Sequence, residues 1–183
     1  MLIVLTLIII GTLVAICPFV LNRSTNEERF KRQARTIPFI WIGVTILLTL
    51  GIRSFDEKIS YNLRVFQCYR GLANQLSYNW RTYRFGYNAE QFRIISSRIC
   101  NILINVLLFM PYGYLMTIVF PKRLFSWKKV LLAGITITVF IETMQLVSHR
   151  GCFDLDDLFH NTIGIMFGYF LGKYVFRLKD IKK

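Results

Sequence analysis

The sequence predicts an all-α fold of the polytopic membrane class, a bundle of about five transmembrane helices with an outer interfacial amphipathic segment. Of its 183 residues, 54% are hydrophobic, and the mean hydropathy is +0.45. A soluble domain of this length needs less apolar material to build a core. The apolar residues also form long runs separated by short charged stretches, which is typical of helices that cross a bilayer. We therefore expect one membrane domain over residues 1–183.

The apolar runs are predicted to be the spans, because a helix needs about 20 residues to cross the hydrocarbon core. Residues 1–52 contain two of them, residues 53–98 form an extracytoplasmic segment, and residues 99–176 contain the remaining three. The second run is short, and the fifth opens with polar residues. In chain order the predicted spans are Leu2–Leu21, Ile37–Ile52, Ile99–Phe120, Val130–Ser148 and Leu158–Phe176.

Basic residues predict the orientation of these spans. Positively charged loops are retained in the cytoplasm, so the loop Asn22–Thr36 is expected inside, the N-terminus outside and the C-terminal tail inside. Residues 53–98 then lie outside in spite of their basic charge. The first span has no basic residues before it, which argues against a cleaved signal peptide. The net charge of +13 is scattered among the spans, so we expect a location in the bacterial cell membrane and no binding to nucleic acid.

The outer segment 53–98 interleaves aromatic residues with arginines. Tyrosine and tryptophan prefer the headgroup level, and arginine lays its apolar stem along a surface while its charge reaches water. Ile59, Leu63 and Phe66 have helical spacing, which predicts an amphipathic helix on the bilayer. This segment is either a plain interfacial anchor or a cap over a site, in contact with an anionic lipid headgroup.

Polar residues lie at corresponding ends of the last three spans. Asn101 and Asn105 are four residues apart, and Glu142 and Gln145 are three apart, so each pair shares a helix face. Asn161 lies near the start of the fifth span. Polar groups in hydrocarbon are costly and usually face protein or water, so these five are predicted to converge on one shallow outward pocket. The two early asparagines could instead be hydrogen-bond links between helices.

A short acidic loop joins the last two spans and adds further candidates. Arg150 is predicted to contact an anionic group, and Asp154 to bind ligand. A structural Glu142–Arg150 pair is the alternative for those two residues. The three aspartates could also be a solvated loop, with Asp157 as the helix N-cap; for Asp156 the solvated interpretation is favoured.

Small residues predict how the helices approach one another. Gly164, Gly168 and Gly172 form a row with a spacing of four, which lets a neighbouring helix pack closely. In the third span, Pro111 and Gly113 predict a kink, since proline removes a backbone hydrogen bond. These five residues are assigned structural roles.

The four cysteines include no C-x-x-C pair, which argues against a zinc cluster. Cys68 and Cys152 both fall in predicted outer loops, so a disulfide between them stays open. His149 and His160 show no fixed ligand spacing with the carboxylates. No metal and no cofactor are expected.

Three strings in this order resemble the VanZ-like family: NILINVLLFMPYG from Asn101, IETMQ from Ile141, and HRGCFDLDDLFHNTIGIMFG from His149. Upstream, Asn62 opens NLRVF, which is similar to the family's N-L-x-P-F element with valine in place of proline. The resemblance implies a bacterial integral membrane protein, mostly of Gram-positive organisms. It also implies a link to lowered susceptibility to teicoplanin and related lipoglycopeptides, without change to the D-Ala-D-Ala end of the precursor.

Three functions remain in competition. In the leading one, the pocket binds the headgroup of a membrane lipid, of a lipid-linked cell-wall precursor or of a teicoplanin-type antibiotic. In the second, the protein is an enzyme in which Glu142 and Asp157 form an acid/base pair acting on a lipid-linked substrate. The third is a lipid transporter, for which the sequence shows neither midplane polar residues nor an inverted repeat. The oligomeric state stays open.

Overall fold

A computed structural model describes residues 36–51, 55, 60–83, 89–119 and 126–181. These residues are mostly helical, which confirms the all-α class, and they include two short strands that the sequence did not predict. The helix predicted at Leu63 and Phe66 is not formed there, because one of these strands precedes them and the helix begins only at Gln67. In chain order the elements are α1 (Ile37–Gly51), β1 (Ser60–Asn62), α2 (Gln67–Tyr83), α3 (Ala89–Val119), α4 (Trp127–Val147), β2 (Cys152–Asp154) and α5 (Leu155–Ile181).

Two helices of the described chain are long and apolar enough to cross a bilayer: the stretch Ala89–Thr117 of α3 and the whole of α4. They correspond to the third and fourth predicted spans. The second predicted span is a 15-residue helix, α1, and the fifth is the 27-residue α5. The first predicted span lies outside the described residues. The count of five spans therefore stays a prediction.

The boundaries of two spans differ from the sequence prediction. Helix α3 begins at Ala89 and not at Ile99, because the sequence AEQFRIISSR is rich in glutamate, glutamine and arginine, which favour helix without being apolar. Helix α5 begins at Leu155 and not at Leu158. Span predictions follow hydropathy alone, so they miss the polar turns that continue a helix beyond the apolar run.

Helices α3 and α5 pack with their backbones in close approach. A Cβ atom added at Gly164 would meet the carbonyl oxygen of Val106, and one at Gly168 would meet that of Met110. The approach is mutual, since a Cβ atom at Gly113 of α3 would meet the carbonyl oxygen of Ile165. Gly172 continues the contact towards the side chain of Thr117 on α3. Only glycine leaves room for this crossing.

Helix α1 docks where α3 contains Pro111. The indole Nε1 of Trp41 donates a hydrogen bond of 2.8 Å to the carbonyl oxygen of Leu108. Proline removes one N–H donor from the helix at this level. In spite of that loss, α3 continues through Pro111, which is buried. Residues of α1 also pack against the apolar core, which is centred on Phe109, Tyr112, Ile141 and Ile165.

The two faces of α4 reverse the pattern of a soluble protein. Its buried face carries Gly134, Thr138 and Glu142, among other residues, whereas large apolar side chains such as Leu132 and Phe140 are exposed. The exposed threonines of α4 donate to carbonyl oxygens of their own helix, as Thr143 does to Val139 at 2.7 Å. A small and polar inner face with an apolar outer face is typical of a helix that faces lipid.

The two strands join distant parts of the chain. Strand β1 pairs in parallel with β2, with Ser60 opposite Cys152, Tyr61 opposite Phe153 and Asn62 opposite Asp154. Because α2 follows β1 and α5 follows β2 directly, the pairing places the start of α2 beside the start of α5. It therefore brings β1 and the start of α2 to the end of the bundle where the polar residues lie.

Candidate functional site

Polar side chains from three helices and one strand lie at this end of the bundle. The end of α4, strand β2 and the start of α5 follow one another in the chain, and α3 packs alongside. We call this cluster the polar junction; its members are Asn105, Glu142, Gln145, Asp154, Asp157 and Asn161.

Glu142 and Asp154 connect α4 to the start of α5. Glu142 is 1% exposed, and its Oε2 accepts a hydrogen bond of 3.2 Å from the backbone N–H of Asp154. The Oδ1 of Asp154 accepts 2.8 Å from the N–H of Asp156, the second residue of α5, so Asp154 is the N-cap of this helix. The sequence had offered Asp157 as the cap; the cap lies three residues earlier.

Asn105 and Asp157 connect α3 to α5. The Nδ2 of Asn105 donates a hydrogen bond of 2.6 Å to the Oδ1 of Asp157. This carboxylate also lies in the first turn of α5, where the helix dipole stabilises negative charge. An interhelical link of this kind was the alternative that the sequence left open for Asn105.

Two buried amides of the junction have an unpaired oxygen. Gln145 is 1% exposed and Asn161 is 3% exposed. The Oε1 of the first and the Oδ1 of the second have no hydrogen-bond partner among the described residues. A buried acceptor left unpaired costs about 1–3 kcal/mol, and water or a bound polar group are the two ways in which such an oxygen is satisfied.

Two predicted site residues are placed differently from the rest. The side chain of Asn101 is exposed on α3, one turn away from Asn105. Arg150 is also exposed, and its Nη1 donates a hydrogen bond of 3.2 Å to the carbonyl oxygen of Leu50, at the end of α1. Arginine at this position donates to a carbonyl oxygen in the last turn of α1, where the helix itself supplies no N–H donor. Its role as an anion contact stays a prediction.

Asp156 is not the solvated residue that the sequence favoured. It is 1% exposed, and its two carboxylate oxygens accept the backbone N–H groups of Phe66 at 2.5 Å and Cys68 at 2.7 Å. These N–H groups open helix α2, so Asp156 of α5 caps a different helix. Phe66 has a φ of 62°, a costly conformation for a bulky residue, and the contact with Asp156 holds it there.

A second contact fastens α2 to α5 one turn further on. The hydroxyl of Tyr69 lies 2.8 Å from the Nε2 of His160, which is 2% exposed. The Sγ of Cys68 lies 3.9 Å from the same nitrogen. Sequence reasoning missed both Asp156 and His160 as partners of α2; the only signal was their spacing of four, which places them on one face of α5.

Cys68 is expected to react slowly with thiol reagents. Burial, a hydrogen bond to Asp156 and the charge of that carboxylate raise its pKa from 9.0 to about 12. Only the thiolate is the nucleophile. The thiol is only partly buried, so solvent weakens the effect of its raised pKa on reactivity. We expect maleimide to modify native Cys68 at least about tenfold more slowly than the denatured chain.

The measurement uses a variant in which Cys68 is the single cysteine and follows alkylation at pH 8 by mass. A variant that retains only Cys152 is the control. The Asp156→Asn change should accelerate the reaction of Cys68. Equal rates for the native and denatured Cys68 protein would show that the thiol is not shielded.

Cys68, Cys100 and Cys152 are free thiols, so the disulfide that the sequence left open between Cys68 and Cys152 is not formed. Among the described residues, no group of three or more histidine, cysteine, aspartate or glutamate side chains has a geometry that could hold a metal ion.

The fold and the site define a helical protein whose apolar helices indicate a membrane location and enclose a polar cluster at one end. The family model for VanZ/LLP1 matches residues 2–177. The chain therefore belongs to the VanZ/LLP1 family, as its motifs suggested. A search of curated proteins and a search of solved structures each found no match.

Proposed function

We propose that this chain is a multi-pass VanZ-type protein of the bacterial cell membrane. In this proposal its polar junction opens to the outer face and binds the headgroup of a lipid, or of a lipid-linked cell-wall precursor or antibiotic. Binding there lowers susceptibility to teicoplanin-type lipoglycopeptides. The positive-inside rule supports the orientation, with the N-terminus outside and the C-terminus in the cytoplasm.

The observation that carries the proposal is the pair of unpaired buried amides, Gln145 and Asn161. They come from two different helices, next to Glu142 and Asp157 respectively on the same helix faces. A headgroup with hydroxyl, amine or amide donors would satisfy these oxygens, and the cost of burying them unpaired would return as binding free energy.

Glu142 and Asp157, the two carboxylates proposed as an acid/base pair, favour binding over acid–base chemistry. Glu142 accepts the backbone N–H of Asp154, and Asp157 accepts the amide of Asn105. Each hydrogen bond holds the start of α5 against a neighbouring helix. A carboxylate that maintains the geometry of the site is poorly suited to cycling its proton in a reaction, so we place binding first and the enzyme second.

Gln145→Met is the variant that separates function from stability. Methionine has nearly the same shape and no polar group to leave unpaired, so the variant should be as stable as the wild type or about 1 kcal/mol more stable. It should nevertheless abolish protection by the protein. The measurement is teicoplanin and vancomycin susceptibility of a sensitive Gram-positive host that expresses each form, with thermal unfolding of the purified proteins alongside.

Gln67→Met is the matched control, because the side chain of Gln67 is exposed at the start of α2 and is not a member of the junction. We expect it to retain protection against teicoplanin. Full protection by a stable Gln145→Met protein would show that the junction is not the binding site. A wild type that gives no protection at confirmed expression would reject the resistance function for this chain.

A further inference from the structure

Helix α2 carries two different rows of side chains on the surface that faces away from α3. Its inner face, centred on Cys68, Leu72 and Asn79, is the one that is buried or half-buried. One outer row contains Leu76 and Trp80, which are four residues apart and therefore lie above one another along the helix, and both are exposed, Trp80 by 64%.

A second row on the outer surface is basic. Arg70 and Arg81 are eleven residues apart, which is three helical turns, so they lie in one row, about a third of a turn around the helix from Leu76 and Trp80. Both are exposed. The sequence of α2, QCYRGLANQLSYNWRTY, contains no aspartate or glutamate, so no carboxylate of this helix offsets the charge of the two arginines.

The position of α2 along α3 indicates the level at which α2 lies relative to the bilayer. Gly71 lies against the guanidinium of Arg98, and the amide of Gln75 donates to Gln91, so α2 runs beside the first part of α3. This part precedes the apolar run that starts at Ile99. If α3 crosses the bilayer through that run, α2 lies at the level of the lipid headgroups.

From this juxtaposition we propose that the outer surface of α2 docks on anionic lipid. Leu76 and Trp80 enter the interface between headgroups and acyl chains, and Arg70 and Arg81 bind lipid phosphates. Each basic side chain near an anionic leaflet adds about fivefold to the local preference for anionic lipid. The inference shares with the proposed function only the placement of α3 in a membrane; it does not need the junction to bind anything.

The test is the quenching of Trp80 fluorescence by brominated lipids in vesicles that contain the full-length protein. The signal of Trp80 is the difference between the wild type and Trp80→Phe, which removes the contribution of the other two tryptophans. Brominated phosphatidylglycerol should quench Trp80 severalfold more strongly than brominated phosphatidylcholine at the same mole fraction. The double variant Arg70→Gln/Arg81→Gln should remove this difference.

Lys128→Gln/Lys129→Gln is the matched control, since it removes the same charge at the start of α4, the end that lies away from the junction. This variant should retain the stronger quenching by brominated phosphatidylglycerol. Equal quenching by the two lipids in the wild type would overturn the proposal, as would an unchanged preference in the arginine variant. Absence of quenching by either lipid would show that α2 does not touch the bilayer. Gln145→Met should leave Trp80 quenching unchanged, so failure of the junction proposal is separable from failure of this one.

Discussion

Gly168→Ala is expected to destabilise the protein by about 3 kcal/mol or more, the upper range for forcing extra atoms into a packed interface. The added Cβ atom would overlap the carbonyl oxygen of Met110 and approach the backbone nitrogen of Tyr114. A backbone carbonyl inside a helix cannot move aside as a flexible side chain can. The two helices must therefore separate along their length, and the separation would also pull Asn105 away from Asp157.

The matched control is Gly43→Ala in α1, where an added Cβ atom meets nothing within 4 Å. There the same substitution should stabilise by roughly 0.5–1 kcal/mol, because alanine loses less backbone freedom in a helix. Thermal unfolding of both purified variants in the same detergent measures the contrast. Similar melting temperatures for the two proteins would show that α3 and α5 do not approach as closely as described.

Asp156→Asn is expected to release helix α2 while the bundle remains folded. The carboxylate of Asp156 accepts two backbone N–H groups, and hydrogen bonds to a charged group contribute about 1.5–3 kcal/mol each. Asparagine keeps one acceptor oxygen and loses the charge that favours a helix N-terminus. Once released, Phe66 can relax from its left-handed conformation, which opposes rebinding.

Hydrogen exchange followed by mass spectrometry measures this effect by region. Amides of residues 66–83 should exchange much faster in Asp156→Asn, while those of α4 and of the later turns of α5 should keep their protection. Lys129→Gln, which removes an exposed charge in the first turn of α4, is the control and should change little. Unchanged protection at residues 66–70 would contradict the capping role of Asp156.

The sequence predicted the parts of this fold that depend on local pattern. Apolar runs located α3 and α4, and the glycine spacing anticipated the row that packs against α3. The spacing of Glu142 and Gln145 correctly placed both on one buried face of α4. In each case hydropathy or helix periodicity was sufficient, because the information lies within one helix.

The remainder of the site depends on contacts between distant residues, which one sequence does not reveal. Three aspartates within four positions look alike, yet Asp154 caps its own helix, Asp156 caps α2, and Asp157 binds α3. For Arg150 the sequence offered a pair with Glu142 as the alternative to an anion contact, whereas its guanidinium donates to the carbonyl oxygen of Leu50, 100 residues earlier. The strands SYN and CFD are three residues long each, too short for an alternating pattern to be recognised.

The pairing of β1 with β2 also imposes an order on assembly. Asn62 and Asp154 are 92 residues apart, and a ribosome releases the chain from its N-terminus onwards. Strand β1 and helix α2 are thus synthesised long before the residues that will hold them. During that interval the backbone N–H groups of Phe66 and Cys68 lack their acceptor on Asp156, and only other contacts hold α2. Helix α2 therefore reaches its native contacts only after α5 has been made, and a protein truncated before Cys152 should leave α2 accessible to protease.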